Sequence, residues 1–160
     1  MKRILFRADA KPSIGTGDLV SLIHLSRYFE KKGWEAHFFI RNYDLAIRII
    51  KAHKIKNVLI AEQDATLGQE IAKINKYLED KRINAVFLEI TERSLREYSG
   101  LAKDVLKACI SFDGDIPLDM DLVLNWDIYA DEIFNIQKYP HTTFLLGPEY
   151  VILPIEFNFK

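Results

Sequence analysis

Cysteine is nearly absent from this sequence, and so is an excess of charge of either sign. The single cysteine, Cys109, excludes an intrachain disulfide and a cysteine-rich zinc site. It lies in an apolar run, which predicts a small buried core residue. The 22 basic and 23 acidic side chains leave a formal net charge of -1, so no strong field would attract nucleic acid or an anionic membrane. We therefore expect no nucleic-acid partner.

Long apolar runs and several common motifs are also missing. No run approaches the ~20 apolar residues of a membrane span, and the first residues lead into a strand pattern rather than a signal peptide. We therefore expect a cytoplasmic protein with no membrane span. The sequence contains no Walker motif, no cluster of metal ligands and no G-x-S-x-G elbow, so we predict neither a metal nor a cofactor.

The sequence does contain the size and the pattern of one α/β domain. Its 160 residues, of which 49% are hydrophobic, allow one domain with a substantial core. Residues 2–8 form a short apolar run, 9–17 form a turn-rich loop, and Asp18 opens an amphipathic helix. This order of strand, loop and helix is the first unit of an α/β fold, in which ligands bind near the carboxyl ends of the strands.

The same alternation continues along the chain. We predict a first helix that stops at Gly33, helices at 43–53 and 64–81, and a helical segment at 91–103. The later predicted strands span 35–40, 57–61, 85–90, 105–112 and 121–124. Residues 126–140 are irregular in composition with one helical turn, and two last short apolar runs lie at 142–146 and 150–153. This alternation predicts a parallel sheet covered on both faces, in a single doubly wound, Rossmann-like α/β domain at 1–160.

Polar residues follow the carboxyl ends of the predicted strands, and these ends meet at one rim of such a sheet. They are Asp9, Lys11, Ser13, Thr16, Arg41, Asn42, Glu89, Thr91, Asp113, Asp115, Asn125 and Asp127. Alternatively, these residues only form the polar turns in which any strand ends, and Asp113–Gly114 is a common turn pair. Among the candidates we favour Asp9, Asp18 and Asn125 as ligand contacts.

Gly15 and Gly17 form a G-x-G in the first loop, where glycine permits positive φ and a close approach of the backbone to a ligand. The third glycine of a dinucleotide fingerprint is missing, because Ser21 and Leu22 occupy its expected place. Arg41 also ends the second strand, where a nicotinamide site has an acidic residue. A nicotinamide-dependent dehydrogenase is therefore disfavoured.

Two segments of the chain resemble one family. RADAKPSIGTGD at 7–18 is similar to the signature R-A-D-[AS]-x-x-x-I-G-x-G-H-x-x-R of the PseG/SpsG-type nucleotide-sugar hydrolases, which serve the synthesis of pseudaminic acid and related surface sugars. LLGPEYVILPIEF at 145–157 is similar to the family's L-x-G-x-x-Y-A-L-L-R-x-E-F. SFDGD at 111–115 and DLVLNWD at 121–127 resemble its F-D-D and D-x-x-x-N-x-N segments. The spaced match covers nearly the whole chain.

The resemblance implies the N-terminal half of a GT-B-like fold, in which two Rossmann-type halves enclose the active site. In the family the second half contacts the uridine nucleotide, so we expect a partner domain or a homo-oligomer to cover the cleft face. The implied ligand is a UDP-linked amino sugar. The implied catalytic residue is Asp18, and the implied substrate-binding residues are Asp9, Ser13, Gly15, Thr16, Gly17, Glu89, Asp113 and Asn125.

Several polar residues of the family are replaced in this chain. The histidine of the G-x-G-H motif, which the family uses as its catalytic base, corresponds to Asp18. Ser21 and Pro154 stand in place of two arginines, and Glu89 stands in place of an aspartate. Histidine exchanges a proton near neutral pH, whereas a carboxylate at a helix N-terminus is stabilised in its charged form and is a weak base. We therefore interpret Asp18 as the N-cap of its helix without a catalytic role.

Two hypotheses about function follow. In the first, the chain is a nucleotide-sugar hydrolase or glycosyltransferase-like enzyme that needs a partner half, and Asp18 or another carboxylate of the rim orients water. In the second, it is a catalytically degenerate module that binds a sugar or a protein through an apolar patch. The aromatic residues that would supply this patch, or else pack in the core, are Trp126, Tyr129, Phe134, Tyr139, Phe157 and Phe159.

Overall fold

The computed structural model describes residues 1–91, 94–117 and 119–157. Within these ranges the chain forms one seven-stranded sheet with helices packed on both faces. The strands are β1 (Arg3–Arg7), β2 (Glu35–Arg41), β3 (Val58–Ala61), β4 (Ala85–Leu88), β5 (Leu106–Ile110), β6 (Leu122–Asn125) and β7 (Thr143–Leu146). The α-helices are α1 (Gly17–Lys31), α2 (Asp44–Ala52), α3 (Leu67–Asp80) and the single turn α4 (Ala130–Ile133).

All neighbouring strands of the sheet are parallel, in the order β3-β2-β1-β4-β5-β6-β7. β1 lies inside the sheet, where Leu5 is paired with His37 of β2 on one side and with Val86 of β4 on the other. The chain adds strands on one side of β1 up to β3 and on the other side from β4 onwards. This confirms the doubly wound, Rossmann-like fold and places its switch point between β1 and β4.

Successive side chains of β1 pack on opposite faces of the sheet. Phe6 belongs to a core that also contains Leu19 and Leu22 of α1. Leu5 belongs to a second core together with Ile74 of α3. Because both faces are covered, the inner strands are apolar along nearly their whole length. The second core also holds Cys109, which is completely buried as the sequence predicted.

Helices α1 and α3 begin in different ways. Before α3, the hydroxyl of Thr66 accepts the N–H of Gln69, and the Gln69 side chain accepts the N–H of Thr66 at 2.8 Å, which completes a capping box. α1 begins at Gly17 after Thr16, whose side chain makes no capping hydrogen bond. The interpretation of Asp18 as an N-cap is therefore wrong, because Asp18 already lies in the first turn of the helix.

One segment differs from the sequence predictions. The segment 91–103 forms no α-helix in its described part, only the 3₁₀ helix Leu95–Gly100. The Ser94 hydroxyl caps its start by accepting the N–H of Arg96 at 3.2 Å, and Leu101, directly after the 3₁₀ helix, has extended backbone angles. The apolar run 150–153 starts at the last residue of the 3₁₀ turn Pro148–Tyr150.

None of the helices in the described ranges has the length and apolar character that a membrane crossing requires.

Candidate functional site

A cleft opens beside the switch point of the sheet, above the carboxyl ends of β4 and β5. Its volume is about 440 Å³, within the usual range of small-molecule sites. The first turn of α1 contributes Asp18 to the cleft, and the segment after β4 contributes Glu89 and Thr91. Phe112 and Asp113 line it from the loop after β5. The cleft therefore combines carboxyl and hydroxyl groups with apolar side chains.

The carboxyl group of Glu89 is buried in this cleft, with 6% of the residue exposed. Among the described residues, none provides a hydrogen-bond partner for its Oε2 atom. Burial raises the pKa of Glu89 to about 9, and the nearby charge of Asp18 adds to the effect. At neutral pH Glu89 is therefore a carboxylic acid that can donate a proton or a hydrogen bond.

Asp18 faces the same cleft from the first turn of α1. The hydroxyl of Thr91 donates a hydrogen bond to its Oδ2. Burial raises the pKa of Asp18, and the hydrogen bond from Thr91 opposes this rise. The charge of Asp18 is in turn one of the two causes that raise the pKa of Glu89, so the two carboxyl groups are coupled. Two carboxyl groups in one cleft, of which Glu89 is kept protonated more strongly, are the arrangement from which a general base and a general acid are formed.

A buried network of ion pairs lies at the end of β1, next to Asp18. Arg7 of β1 places Nε 2.5 Å from Oε1 of Glu70 and Nη2 2.7 Å from Oδ2 of Asp9. Arg41 of β2 donates from Nη2 to Oε2 of Glu70 at 2.7 Å. The hydroxyl of Tyr98 donates to Oε1 of Glu70 at 2.6 Å. The network thus fastens the ends of β1 and β2 to the first turn of α3.

The charges of this network stabilise one another. Burial alone would raise the pKa of Glu70, but the charge of Arg7 and the hydrogen bonds from Arg7, Tyr98 and Arg41 lower it to about 2. Burial would lower the pKa of Arg7, but the charges of Asp9 and Glu70 outweigh this and raise it. Both Arg7 and Glu70 are therefore charged at neutral pH, although each is almost completely buried.

Asp9, a predicted ligand contact, belongs to this network. Its Oδ1 accepts the N–H of Arg41 at 2.7 Å, while its Oδ2 pairs with Arg7. Asp9 is 7% exposed and is not among the residues that line the large cleft within the described ranges. Its contacts hold the ends of β1 and β2 together, which is a structural role.

The loop before α1 lies at the rim of the site. The N–H of Gly15 donates to the carbonyl oxygen of Lys11 at 2.9 Å and closes a turn in which Gly15 has a φ of +79°. This positive φ explains glycine at position 15. Ser13, Thr16 and Gly17 are exposed, and none of them lines the cleft in the part of the chain that the structure describes.

The two predicted residues after β5 and β6 have different positions. Asp113 lines the cleft, and its Oδ1 accepts the hydroxyl of Ser111 at 3.1 Å. Asn125 is completely buried, donates from Nδ2 to the carbonyl oxygen of Ser111 at 2.8 Å, and accepts the N–H of Asp127 at 2.7 Å. Asn125 therefore connects the loops after β5 and β6 by hydrogen bonds. It is not among the described residues that line the cleft.

Sequence reasoning missed Arg7, Glu70 and Tyr98 as parts of one cluster. Arg7 ends an apolar strand, where it is easily taken for the polar border of the strand. One signal was present in the sequence: Glu70 follows Leu67 by three residues and precedes Ile74 by four, so it lies on the inner stripe of α3. A glutamate on an inner helical stripe needs a buried cation as partner.

The aromatic residues near the C-terminal end are divided between core and surface. Phe134 and Tyr139 are buried in the second core, whereas Tyr129 is 60% exposed and Phe157 is 55% exposed. Trp126 is half-buried and packs edge-on against Phe112, with 5.1 Å between the ring centroids. Phe159 lies outside the described residues. Phe134 and Tyr139 therefore belong to the core, whereas Tyr129 and Phe157 are available at the surface.

The fold and the site define a doubly wound α/β domain with a cleft of polar and apolar groups beside the switch point of its sheet. No protein-family model matches the chain, and no curated protein matches it either. Within the described ranges, no group of three or more His, Cys, Asp or Glu residues is placed to hold a metal ion. The function is therefore argued from the cleft and its residues.

Proposed function

We propose that this domain is the sugar-binding half of a hydrolase that acts on a UDP-linked amino sugar. The observation that carries the proposal is the pair of Asp18 and Glu89, two carboxyl groups in one cleft of which Glu89 is held neutral. The resemblance of residues 7–18 and 145–157 to nucleotide-sugar hydrolases supports the substrate class. The expected cytoplasmic location suits such an activated sugar.

In this proposal Asp18 is the general base and Glu89 is the general acid. Asp18 takes a proton from a water molecule while the water oxygen forms a bond to the anomeric carbon. The bond between that carbon and the diphosphate oxygen breaks, and its electron pair leaves with the nucleoside diphosphate. Glu89 donates a hydrogen bond or its proton to the leaving oxygen. Burial makes Asp18 a stronger base than an ordinary aspartate, because it raises the pKa of the carboxyl group.

The neutral state of Glu89 also matters for binding a phosphorylated substrate. Two ionised carboxylates beside a diphosphate would repel it, whereas a protonated Glu89 adds no negative charge to the cleft. The volume of about 440 Å³ suits the sugar part of the substrate, while the nucleotide extends towards a partner domain or a second copy.

The assay measures UDP release from UDP-linked amino sugars by the purified protein, alone and mixed with candidate partner proteins. We expect Asp18→Asn and Glu89→Gln each to lower kcat by about 10²- to 10⁴-fold, the usual contribution of a general acid or base. Glu79→Gln is the matched control, because Glu79 is exposed near the end of α3. Absence of UDP release in every combination would refute the enzymatic proposal.

The second candidate is a module that binds the same sugar without turnover. One observation favours it: the hydroxyl of Thr91 already occupies Oδ2 of Asp18, the atom that would take the proton. In this case we expect a calorimetric titration to show binding of the UDP-linked amino sugar without release of UDP. Asp18→Asn should then bind the sugar with an affinity similar to that of wild type.

A further inference from the structure

A second, much smaller cavity lies beside the large cleft, at the end of β1. Its volume is about 10 Å³, the space of about one water molecule. Side chains from the network of ion pairs form one wall, and Ile14 of the first loop forms another. The cavity shares Asp18, Ile90 and Thr91 with the cleft, so whatever it holds lies next to the proposed base.

The side chain of Arg7 lines this cavity and carries one unused hydrogen-bond donor. Arg7 is 2% exposed, and its Nε and Nη2 atoms pair with Glu70 and Asp9. Its Nη1 atom is buried, and no residue in the described ranges offers it a hydrogen-bond acceptor. A buried guanidinium donor without a partner is unfavourable, which favours a bound molecule that accepts this hydrogen bond.

The other walls limit what this molecule can be. Arg7 and Arg41 line the cavity and disfavour a cation, while Asp9 and Asp18 line it and disfavour an anion. A molecule that both accepts and donates hydrogen bonds satisfies both kinds of group. A volume of about 10 Å³ leaves room for water and for little else.

We infer that this cavity holds one ordered water, which accepts a hydrogen bond from Nη1 of Arg7 and donates one to the carboxylate of Asp18. Arg7 is then a positioning residue, because it acts on the reaction through the water that it holds. The buried network has a second function in this view: Glu70 and Asp9 fix the guanidinium so that its third nitrogen faces the water.

This inference deepens the proposed function and rests on it where the role of the water is concerned. The water next to Asp18 is the nucleophile: it gives one proton to Asp18 and bonds through its oxygen to the anomeric carbon, and the nucleoside diphosphate departs with the electron pair of the broken bond. Because the cavity borders the cleft, the water reaches a sugar bound there without crossing the protein.

The first test is a high-resolution crystal structure of the wild-type protein. We expect density for a water within hydrogen-bond distance of both Nη1 of Arg7 and a carboxylate oxygen of Asp18. The inference is overturned if this position has no density or if the water contacts only one of the two groups. This result is independent of turnover, so it separates failure of the inference from failure of the proposed function.

The second test fills the cavity without changing a charged group. Ile14→Phe brings a larger side chain to the wall of the cavity, and Ile14→Leu is the control of equal volume. Crystal structures of both variants establish whether the water is present, and UDP release gives kcat and KM. We expect kcat to fall about 10²-fold in a variant without the water, with little change in KM, and to keep its wild-type value in a variant with the water. A variant that loses the water and keeps its kcat, or keeps the water and loses its kcat, overturns the role of the water as nucleophile.

Discussion

Nε of Arg7 lies 2.5 Å from Oε1 of Glu70, and both side chains are almost completely removed from solvent. The two residues are 63 positions apart in the chain and join the inner strand β1 to the first turn of α3. Their contact keeps the carboxyl end of β1 in place, next to the cleft that contains Asp18 and Glu89. This ion pair therefore stabilises the fold and also holds in place the strand end that lies next to the proposed site.

Glu70→Gln should strongly destabilise the protein. The substitution leaves the buried cations Arg7 and Arg41 without their shared carboxylate, and loss of one partner of a buried ion pair typically costs about 3–5 kcal/mol. Urea denaturation of wild type and variant measures the difference in the free energy of unfolding. Glu79→Gln is the control, since this exposed residue lies on the same helix and should change stability by less than about 0.5 kcal/mol. Equal stability of the two variants would contradict the importance of the network.

The ion pairs of Glu70 should also produce a characteristic loss of stability in acid. The pKa of Glu70 falls from an ordinary value of 4.5 to about 2 in the folded protein. Because the folded state holds the charged form, the stabilisation is complete above the unfolded pKa and is lost as the pH falls from about 4.5 to about 2. The loss amounts to about 3 kcal/mol. Stability measured across this range should fall less steeply in Glu70→Gln, and parallel curves would contradict the assignment.

Glu89→Gln should stabilise the protein at neutral pH while it removes the proposed general acid. The folded state raises the pKa of Glu89 to about 9, so the unfolded chain releases a proton that the folded chain keeps. Stability from this group is complete below about pH 4.5 and declines as the pH rises towards 9. Glutamine imitates the neutral acid and avoids a cost of about 3 kcal/mol at pH 7. Thermal unfolding at pH 7 and pH 4 should show a gain at the higher pH only. A gain of the same size at both would mean that ionisation is not the cause.

Thr91→Val should raise the pKa of Asp18. The hydroxyl of Thr91 donates a hydrogen bond to the carboxylate, and this bond lowers the pKa against the effect of burial. Valine has a similar shape and cannot donate. A pH titration that follows the carboxyl carbon of Asp18 by NMR measures the shift. Thr91→Ser keeps the hydroxyl and should titrate as wild type does. A fall of the pKa in the valine variant would show that the bond does not hold the charged form.

Asn125→Ala should weaken the fold without weakening the binding of a sugar. Its side chain is completely buried and makes hydrogen bonds to Ser111 and Asp127, so its removal leaves polar backbone groups unsatisfied at about 1–3 kcal/mol each. Asn42→Ala, at an exposed residue after β2, is the control and should be nearly neutral. Calorimetry on the folded variant should give the affinity of wild type. A large loss of affinity would show that Asn125 contacts the ligand after all.

The architecture was predictable because its signals are local. The apolar runs at 2–8, 35–40 and 85–90 alternate with amphipathic helices, and this alternation predicts parallel strands wherever the chain is long enough to cover both faces. The inner stripe of α3 and the burial of Cys109 follow from the same periodicity. The starts of helices were less predictable from the sequence. The side chain of Asp18 can cap a helix, but in the folded chain it accepts a hydrogen bond from Thr91. That contact joins residues 73 positions apart, which no local pattern reveals.

The sequence by itself determined the doubly wound fold, the polar rim at the strand ends, and the residue types that a site at this rim can use. Only the tertiary structure decided which of them meet. It placed Asp18 and Glu89 in one cleft. Asp9 lies in a buried network of ion pairs, and Asn125 connects two loops by hydrogen bonds. The tertiary structure also decided that Glu89 is a neutral acid while Glu70 is a carboxylate. The same chemical group has two protonation states here because its pKa depends on burial and on the charges near it, and both are properties of the folded chain.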